Sequence, residues 1–459
     1  MMSLRALTLR IGTAAIMAAL PVLARAESRS VAPDEGRPLQ TVIDAATPGD
    51  VITLQAGEHM GPVTIDKALS LVGQGRASVV GNGKGSVITI TAEGVTIRRL
   101  QVSGSGIDLT KLDSGIFAAK TAKRAVIEDN TITGNLFGVY LHGASESIVR
   151  GNRIAGLQEG RLSEAGNGVT VWNAPGSMVL DNDISFGRDG ISTNASRRNV
   201  FSGNRFRDLR FGVHYMYTND SEISNNVSTG NAVGYAIMFS NRLKIKGNRS
   251  DGDRDRGLLL NYANGSEITG NVVVGRLQPT ERWLTAGTRS SEHGMPKTEE
   301  GSAVADGNRR LGPEKCVFIY NANKNRFRDN VFEGCAIGIH FTAGSEGNGI
   351  SGNAFINNRN QVKYVGTRHL DWSADGRGNY WSDNPAFDLN GDGVGDSPYR
   401  PNDLIDRVLW TSPQAKLLTS SPAVQVIRWA QAQFPAILPG GVVDSHPLML
   451  PTQRKEATQ

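Results

Sequence analysis

One short phrase recurs along this chain and limits what it can fold into. It reads Asp129-Asn130, Gly151-Asn152, Asp181-Asn182, Gly203-Asn204, Asn225-Asn226, Gly247-Asn248, Gly270-Asn271, Asp329-Asn330 and Gly352-Asn353. The second Asn of successive phrases is separated by 22, 30, 22, 22, 22, 23, 59 and 23 residues. A period of 22–23 residues with short β-type runs is the signature of a parallel β-helix. Each repeat buries one face only, so rungs must stack to complete a core. Asn at one fixed place can stack as a ladder and suits left-handed turn geometry. The Leu pattern of a leucine-rich repeat, which has a similar period, is absent. Composition agrees: 54 of 459 residues are Gly, about 12% against a usual ~7%. Gly and Asn are poor helix formers. Two Cys and 39% hydrophobic residues exclude a disulfide scaffold and a polytopic membrane protein. The predicted fold class is all-β: a right-handed parallel β-helix solenoid of 22–23-residue rungs, with an N-terminal cap helix and a C-terminal irregular and helical tail.

The period also sorts side chains by face. Each rung has a strand after a glycine, as in Gly212-Val213-His214-Tyr215-Met216 and Gly234-Tyr235-Ala236-Ile237-Met238. Strand side chains alternate. Positions one and three after Gly are mostly apolar and point inward. Positions two and four point outward. Four after Gly the column reads His142, Trp172, Asn194, Met216, Met238, Asn261; two after, it reads Tyr140, Thr170, Ser192, His214, Ala236, Leu259. Met216 and Met238 are one period apart, hence on adjacent rungs about 4.8 Å apart. His214 shares their face. Thioethers select Cu(I), so His214, Met216 and Met238 are candidate copper ligands. The same residues also read as an adaptable apolar patch covered by a loop or a partner. His340 lies in the His214 column several rungs away, and His59, His142, His369 and His446 read as surface or packing residues.

The rest of the chain frames this face. Residues 1–26 read as a secretory signal peptide: Arg5 and Arg10, the apolar run Ile11–Leu23, then Ala24-Arg25-Ala26. Its three arginines supply most of the formal charge of +5, leaving +2 and little reason to expect nucleic acid. The predicted solenoid spans 27–375, capped by an amphipathic helix over Leu39–Ala46. A long insertion lies at about 277–315, holding Trp283, His293 and Met295, and a smaller one near Gln158–Gly166. Cys316 and Cys335 lie about one turn apart; they could pair in an oxidising compartment or remain two buried thiols. Residues 376–459 form the tail. There Asp388, Asn390, Asp392 and Asp396 fall at positions 1, 3, 5 and 9 of a calcium-like loop with Gly393 at position 6. Position 12 is Tyr399 rather than Glu, so a structural Ca²⁺ loop and a metal-free Asp/Gly turn both fit. Ser421-Pro422 starts a docking helix over Ala423–Phe434. Many β-helix proteins are polysaccharide lyases, hydrolases or epimerases that need carboxylates on the strand face. The two outward columns hold neither Asp nor Glu, so a carbohydrate-active enzyme is the runner-up to a non-enzymatic role.

Several segments together resemble one family: Gly212-Val-His-Tyr-Met-Tyr-Thr-Asn-Asp220, Gly234-Tyr-Ala-Ile-Met-Phe-Ser240, Gly257-Leu-Leu-Leu-Asn-Tyr262, Gly378-Asn-Tyr-Trp-Ser-Asp383 and Asp388–Tyr399. They are similar to the NosD family of periplasmic proteins, over nearly the whole chain after the leader. The resemblance implies a function in maturation of nitrous oxide reductase, at its copper-sulfide centre. It also implies partners: an ABC transporter with permease and ATPase subunits, and a lipid-anchored copper chaperone as copper donor. The chain has no phosphate-binding loop, so ATP use would belong to the transporter.

Overall fold

The computed structural model describes residues 27–33, 38–158, 161–279, 309–312, 314–342, 344–366, 368–411, 421–434 and 440–451. The predicted leader at 1–26 and most of the insertion, including Trp283, His293 and Met295, lie outside these residues. Three long parallel sheets, two of thirteen strands and one of twelve, carry one strand from nearly every rung. One rung runs Phe211–Met216, Glu222–Ser224, Val227–Thr229, and the next opens at Val233–Met238. The β-solenoid has roughly thirteen turns. Its short strands follow from the sequence: mostly three- to six-residue runs rich in β-branched and aromatic residues, many of them ended by Gly, Asn or Asp.

The corners show why that punctuation is needed. The residue before each ladder asparagine sits in the left-handed region, with φ of 56° at Asp129, 54° at Asp181 and 70° at Gly203. Gly, Asn and Asp reach that region at least cost. The asparagines form a buried ladder inside the corner. Asn130 donates its backbone N–H and its Nδ2 to Asn152 Oδ1 at 2.9 and 3.0 Å. Asn204 repeats this toward Asn226, both at 2.9 Å, and Asn271 toward Asn330, both at 2.9 Å. The last pair spans the 59-residue gap, so the insertion leaves the stack unbroken. Its ends, Arg276–Pro279 and Arg309–Gly312, pair as an antiparallel ribbon.

Inward positions build a single core from Val31 to Val442. It includes Val213, Tyr215, Tyr235, Ile237, Leu258 and Leu260, the first and third residues after their glycines. Each such apolar side chain is worth about 1.5–3 kcal/mol on burial. The N-terminal end is covered by a helix over Leu39–Asp44, with Leu39 and Ile43 buried. At the other end, Gly441–Val443 pairs with His369–Asp371. Buried Asp444 there accepts from the Asn379 N–H at 2.6 Å and from Trp381 Nε1 at 2.7 Å. The tail therefore folds back onto the last rung. Two tail helices follow Tyr399, over Leu404–Thr411 and Pro422–Gln433. Ser421 caps the second by accepting the Val424 N–H. Along this helix Val424 is buried, while Val426, Ile427, Trp429 and Phe434 stand exposed. No described helix is long and apolar enough to cross a membrane.

Candidate functional site

The twelve-stranded sheet presents the outward columns, and its local geometry begins at the rung glycines. Strand pairing runs Asp189↔Phe211, then Ile191↔Val213, passing over Gly190 and Gly212. A Cβ on Gly190 would lie 2.5 Å from both the Gly212 carbonyl oxygen and a Phe206 ring carbon. Only glycine fits that turn-in. Because the alternation breaks there, the residue before each glycine also faces outward. Val233, for example, clusters with Ala236 and Leu259, apart from the main core. The outer face thus has three columns, not two. The expectation that it offers no carboxylate fails at Asp189, which occupies the third.

Asp189 organises one end of the site. It is 1% exposed and is gripped by Arg210, Nε to Oδ1 at 2.8 Å and Nη2 to Oδ2 at 2.6 Å. His214 Nδ1 meets Asp189 Oδ2 at 3.1 Å. Burial pushes the Asp189 carboxyl up, but the hydrogen bonds from His214 and Arg210 and their charges together hold it below the usual carboxylate value. An ionised Asp189 accepts a proton bond from Nδ1–H, which leaves the lone pair on His214 Nε2. That is the tautomer a metal-binding histidine needs. Phe211 packs edge-on against the imidazole at 5.1 Å, with the Arg210 guanidinium 4.2 Å above the Phe211 ring. The ring is held on two sides.

Met216 and Met238 are direct cross-strand partners, and both are partly exposed. Asn194 and Asn261 flank them in the same column. Asn261 Oδ1 is buried without a hydrogen-bond partner. The structure therefore brings the three predicted copper ligands onto one outer face. Thioether and imidazole are donor types that suit copper, whereas the Asn261 amide oxygen is a hard donor. Beside them runs an aromatic rail: Tyr217 stacks on Phe239 at 5.1 Å and Phe239 on Tyr262 at 5.2 Å. Tyr217 and Tyr262 are exposed. His142 instead stacks on Trp172 at 4.4 Å, and His340 lies rungs away on the chain's later strands.

The tail loop is ordered by its own side chains. Asp388 accepts the Gly391 and Gly393 N–H groups, Asn390 that of Asp392, Asp392 that of Val394, and Asp396 that of Leu389. Among the described residues no three of His, Cys, Asp and Glu converge as a metal cluster. The four predicted calcium ligands thus share one loop without forming a closed cage. Cys316 and Cys335 are joined by a disulfide, with Cα atoms 5.7 Å apart. Cys316 stands where its neighbouring rung has Gly257, and both cysteines are buried in the core. Sequence reading overlooked Asp189 and Arg210. The signal that would have found them is the residue before the rung glycine, had the break in alternation been foreseen.

Fold and side chains together describe a parallel β-solenoid that carries two thioethers and an imidazole on one outer face. Comparison with known proteins names the family. The profile described as "Periplasmic copper-binding protein (NosD)" matches residues 157–386. A protein of Stutzerimonas stutzeri named "Probable ABC transporter binding protein NosD" is 42% identical over 402 residues, 87% of each chain. One of the same name from Pseudomonas aeruginosa is 40% identical over 431 residues, 94% of each. This chain belongs to the NosD family of periplasmic copper-binding proteins. The N-terminal fragment of the bacteriophage Phi29 gene product 12 shares the fold alone, with a TM-score of 0.52 at 11% identity, over 75% of this chain and 68% of that one.

Proposed function

We propose that this chain is a non-catalytic copper carrier for maturation of nitrous oxide reductase. It receives Cu(I) from a lipid-anchored periplasmic chaperone and holds it at His214, Met216 and Met238. It then presents the ion for assembly of the reductase's copper-sulfide centre, under control of an ABC transporter with permease and ATPase subunits. The observation that carries this reading is the Met216–Met238 pair beside an imidazole oriented by Asp189. Two relatives named as probable ABC transporter binding proteins support the transporter link. The exposed apolar side of the Pro422–Gln433 helix offers a place for the permease to dock. The aromatic rail suits a protein partner passing copper to the methionine pair. The outer face has one carboxylate of the pair that retaining or inverting glycosidases use, and Asp189 is already committed to Arg210 and His214.

The test is complementation. A strain lacking this chain is given either the natural protein or one with His214→Ala, Met216→Ala and Met238→Ala, and the copper content of its purified reductase is measured. The natural protein restores a full complement. The triple variant, secreted at equal level, leaves the copper-sulfide centre empty. Equal loading by both would sink the site. Turnover of an acidic polysaccharide by the purified chain would sink the carrier reading.

A structural Ca²⁺ at Asp388, Asn390, Asp392 and Asp396 belongs to the same proposal and rests on their spacing. Chelator-treated protein is then expected to gain several degrees of melting temperature with Ca²⁺ and none with Mg²⁺. Asp388→Ala abolishes the gain, and an identical response in that variant speaks against the loop.

A further inference from the structure

Immediately beyond the methionine pair, the outer face becomes strongly basic. Arg256 and Lys315 occupy the third column on adjacent strands and are direct cross-strand partners. Like charges in that relation repel. Phe318 pairs across to His340, and His340 to Lys363. The long side chains converge on the Phe318 ring. The Arg256 guanidinium carbon is 5.1 Å from its centroid, the Lys315 ammonium 5.7 Å and the His340 ring 4.9 Å.

Among the described residues, the cluster of Arg256, Lys315 and His340 is short of negative charge. Lys315 is 8% exposed, and its ion-pair partner is Glu314 at 3.5 Å. Arg256 Nε and His340 Nδ1 are both buried without a hydrogen-bond partner. A buried cation or polar nitrogen is expensive unless something pairs with it. Contact with an aromatic face offsets part of that cost and leaves the charge in place. Burial first, then the charges of Lys363, Lys315 and Arg256, push the His340 imidazole down to about 3. The ring is therefore neutral in ordinary buffers, and Nδ1 can carry the proton as a donor without adding repulsion. A guanidinium N–H, an ammonium and an imidazole N–H around one ring lack only an acceptor with several oxygens.

We infer that Arg256, Lys315 and His340, gathered around the Phe318 ring, form a binding site for a small oxyanion of the sulfate or phosphate class. The anion accepts from Arg256 Nε, the Lys315 ammonium and His340 Nδ1, and Lys363 adds to the field that attracts it. The site is separate from the thioether pair and needs no metal.

The natural chain, metal-free, is titrated with sodium sulfate and with sodium phosphate at ionic strength held constant by chloride. Heat is read by calorimetry and His340 by NMR, its signals assigned from the His340→Gln variant. Sulfate stabilises folded proteins generally by exclusion, so melting temperature is not the readout. The expected result is one saturable site for at least one of the two ions, with the His340 titration midpoint raised by at least one pH unit at saturation. Arg256→Gln and Lys315→Met each weaken binding tenfold or more. If one variant fails to fold by circular dichroism, the other and the His340 titration in the natural chain decide. Absence of saturable binding by either ion, a His340 midpoint that does not move, or equal affinity in both folded variants would overturn the assignment. Saturation by phosphate alone identifies a protonatable tetrahedral anion as the ligand; saturation by both identifies charge and shape as the selecting features.

Discussion

Exchanging Met216 and Met238 together for leucine is expected to weaken Cu(I) binding by at least about a hundredfold while leaving the fold intact. Leucine and methionine are close in volume, and such swaps usually cost under about 1.5 kcal/mol. Met238 packs against the Val233–Ala236–Leu259 cluster and both methionines are partly exposed, so the packing loss is small. What disappears is both sulfur donors. Loss of a group that merely orients a ligand already costs about 10–100-fold in metal affinity, which sets the floor for losing two ligands. The same figure applies to Asp189→Asn. An amide there can offer its NH₂ to the imidazole and favour the other tautomer, moving the lone pair from Nε2 to Nδ1. The measurement is competition against a chromophoric Cu(I) chelator, without oxygen and with a non-thiol reductant. Unchanged affinity in the double leucine variant would remove the methionine pair from the site. Unchanged affinity in Asp189→Asn alone would leave the thioethers and reduce Asp189 to a packing role.

A second large effect is expected at Asp253, a carboxyl buried inside the solenoid and held by neutral hydrogen-bond donors. It continues an inner ladder: its Oδ1 accepts the Asn231 N–H at 2.8 Å and its Oδ2 the Ser250 hydroxyl at 2.6 Å. Burial outweighs these bonds and pushes the carboxyl up to about 7. The folded chain thus holds a proton that the unfolded chain releases near 3.8. Between those values the native state binds more protons, so this residue's contribution to stability is fully present below about 4 and is lost as pH rises through about 7. Asp253→Asn removes the penalty. Asn231 shows that the amide fits, since its Nδ2 donates to Ser228 Oγ at 2.8 Å and to the Phe206 carbonyl at 3.1 Å. At pH 8 the gain is on the order of 4 kcal/mol for a shift of this size. In urea unfolding, the gap between variant and natural chain should widen from pH 5 to pH 8. A constant gap, or a less stable variant at pH 8, would mean that Asp253 is ionised in the fold and matched by its surroundings.

These positions mark different limits of sequence reading. Met216 and Met238 could be placed because one period separates them and each lies four residues after its rung glycine, where strand alternation holds. Asp253 and Asp189 could not, although both lie in plain repeats. Asp253 sits in a mixed-charge run, Asp251-Gly-Asp-Arg-Asp-Arg256, that reads as a solvated turn. Only the stacking of the rungs turns one of its three carboxyls into the core. Asp189 stands beside a glycine whose missing Cβ lets the strand break its alternation. The side chain before it emerges on the outer face, where two-residue alternation would have buried it.

The amino-acid sequence by itself determined the period, the Gly and Asn corners, the inward apolar positions and the register of the outer methionines. All of these follow from short-range rules of spacing, handed turn geometry and alternation. The tertiary structure decided which charged groups meet. Asp189 reaches His214 across 25 residues and Arg210 across 21. Arg256 meets Lys315 across the long insertion, and Asp444 returns from the tail to satisfy Asn379 and Trp381. Electrostatic partners act through space, and their strength depends on how much water the fold removes around them. Neither quantity can be read from the order of residues until the rungs are stacked.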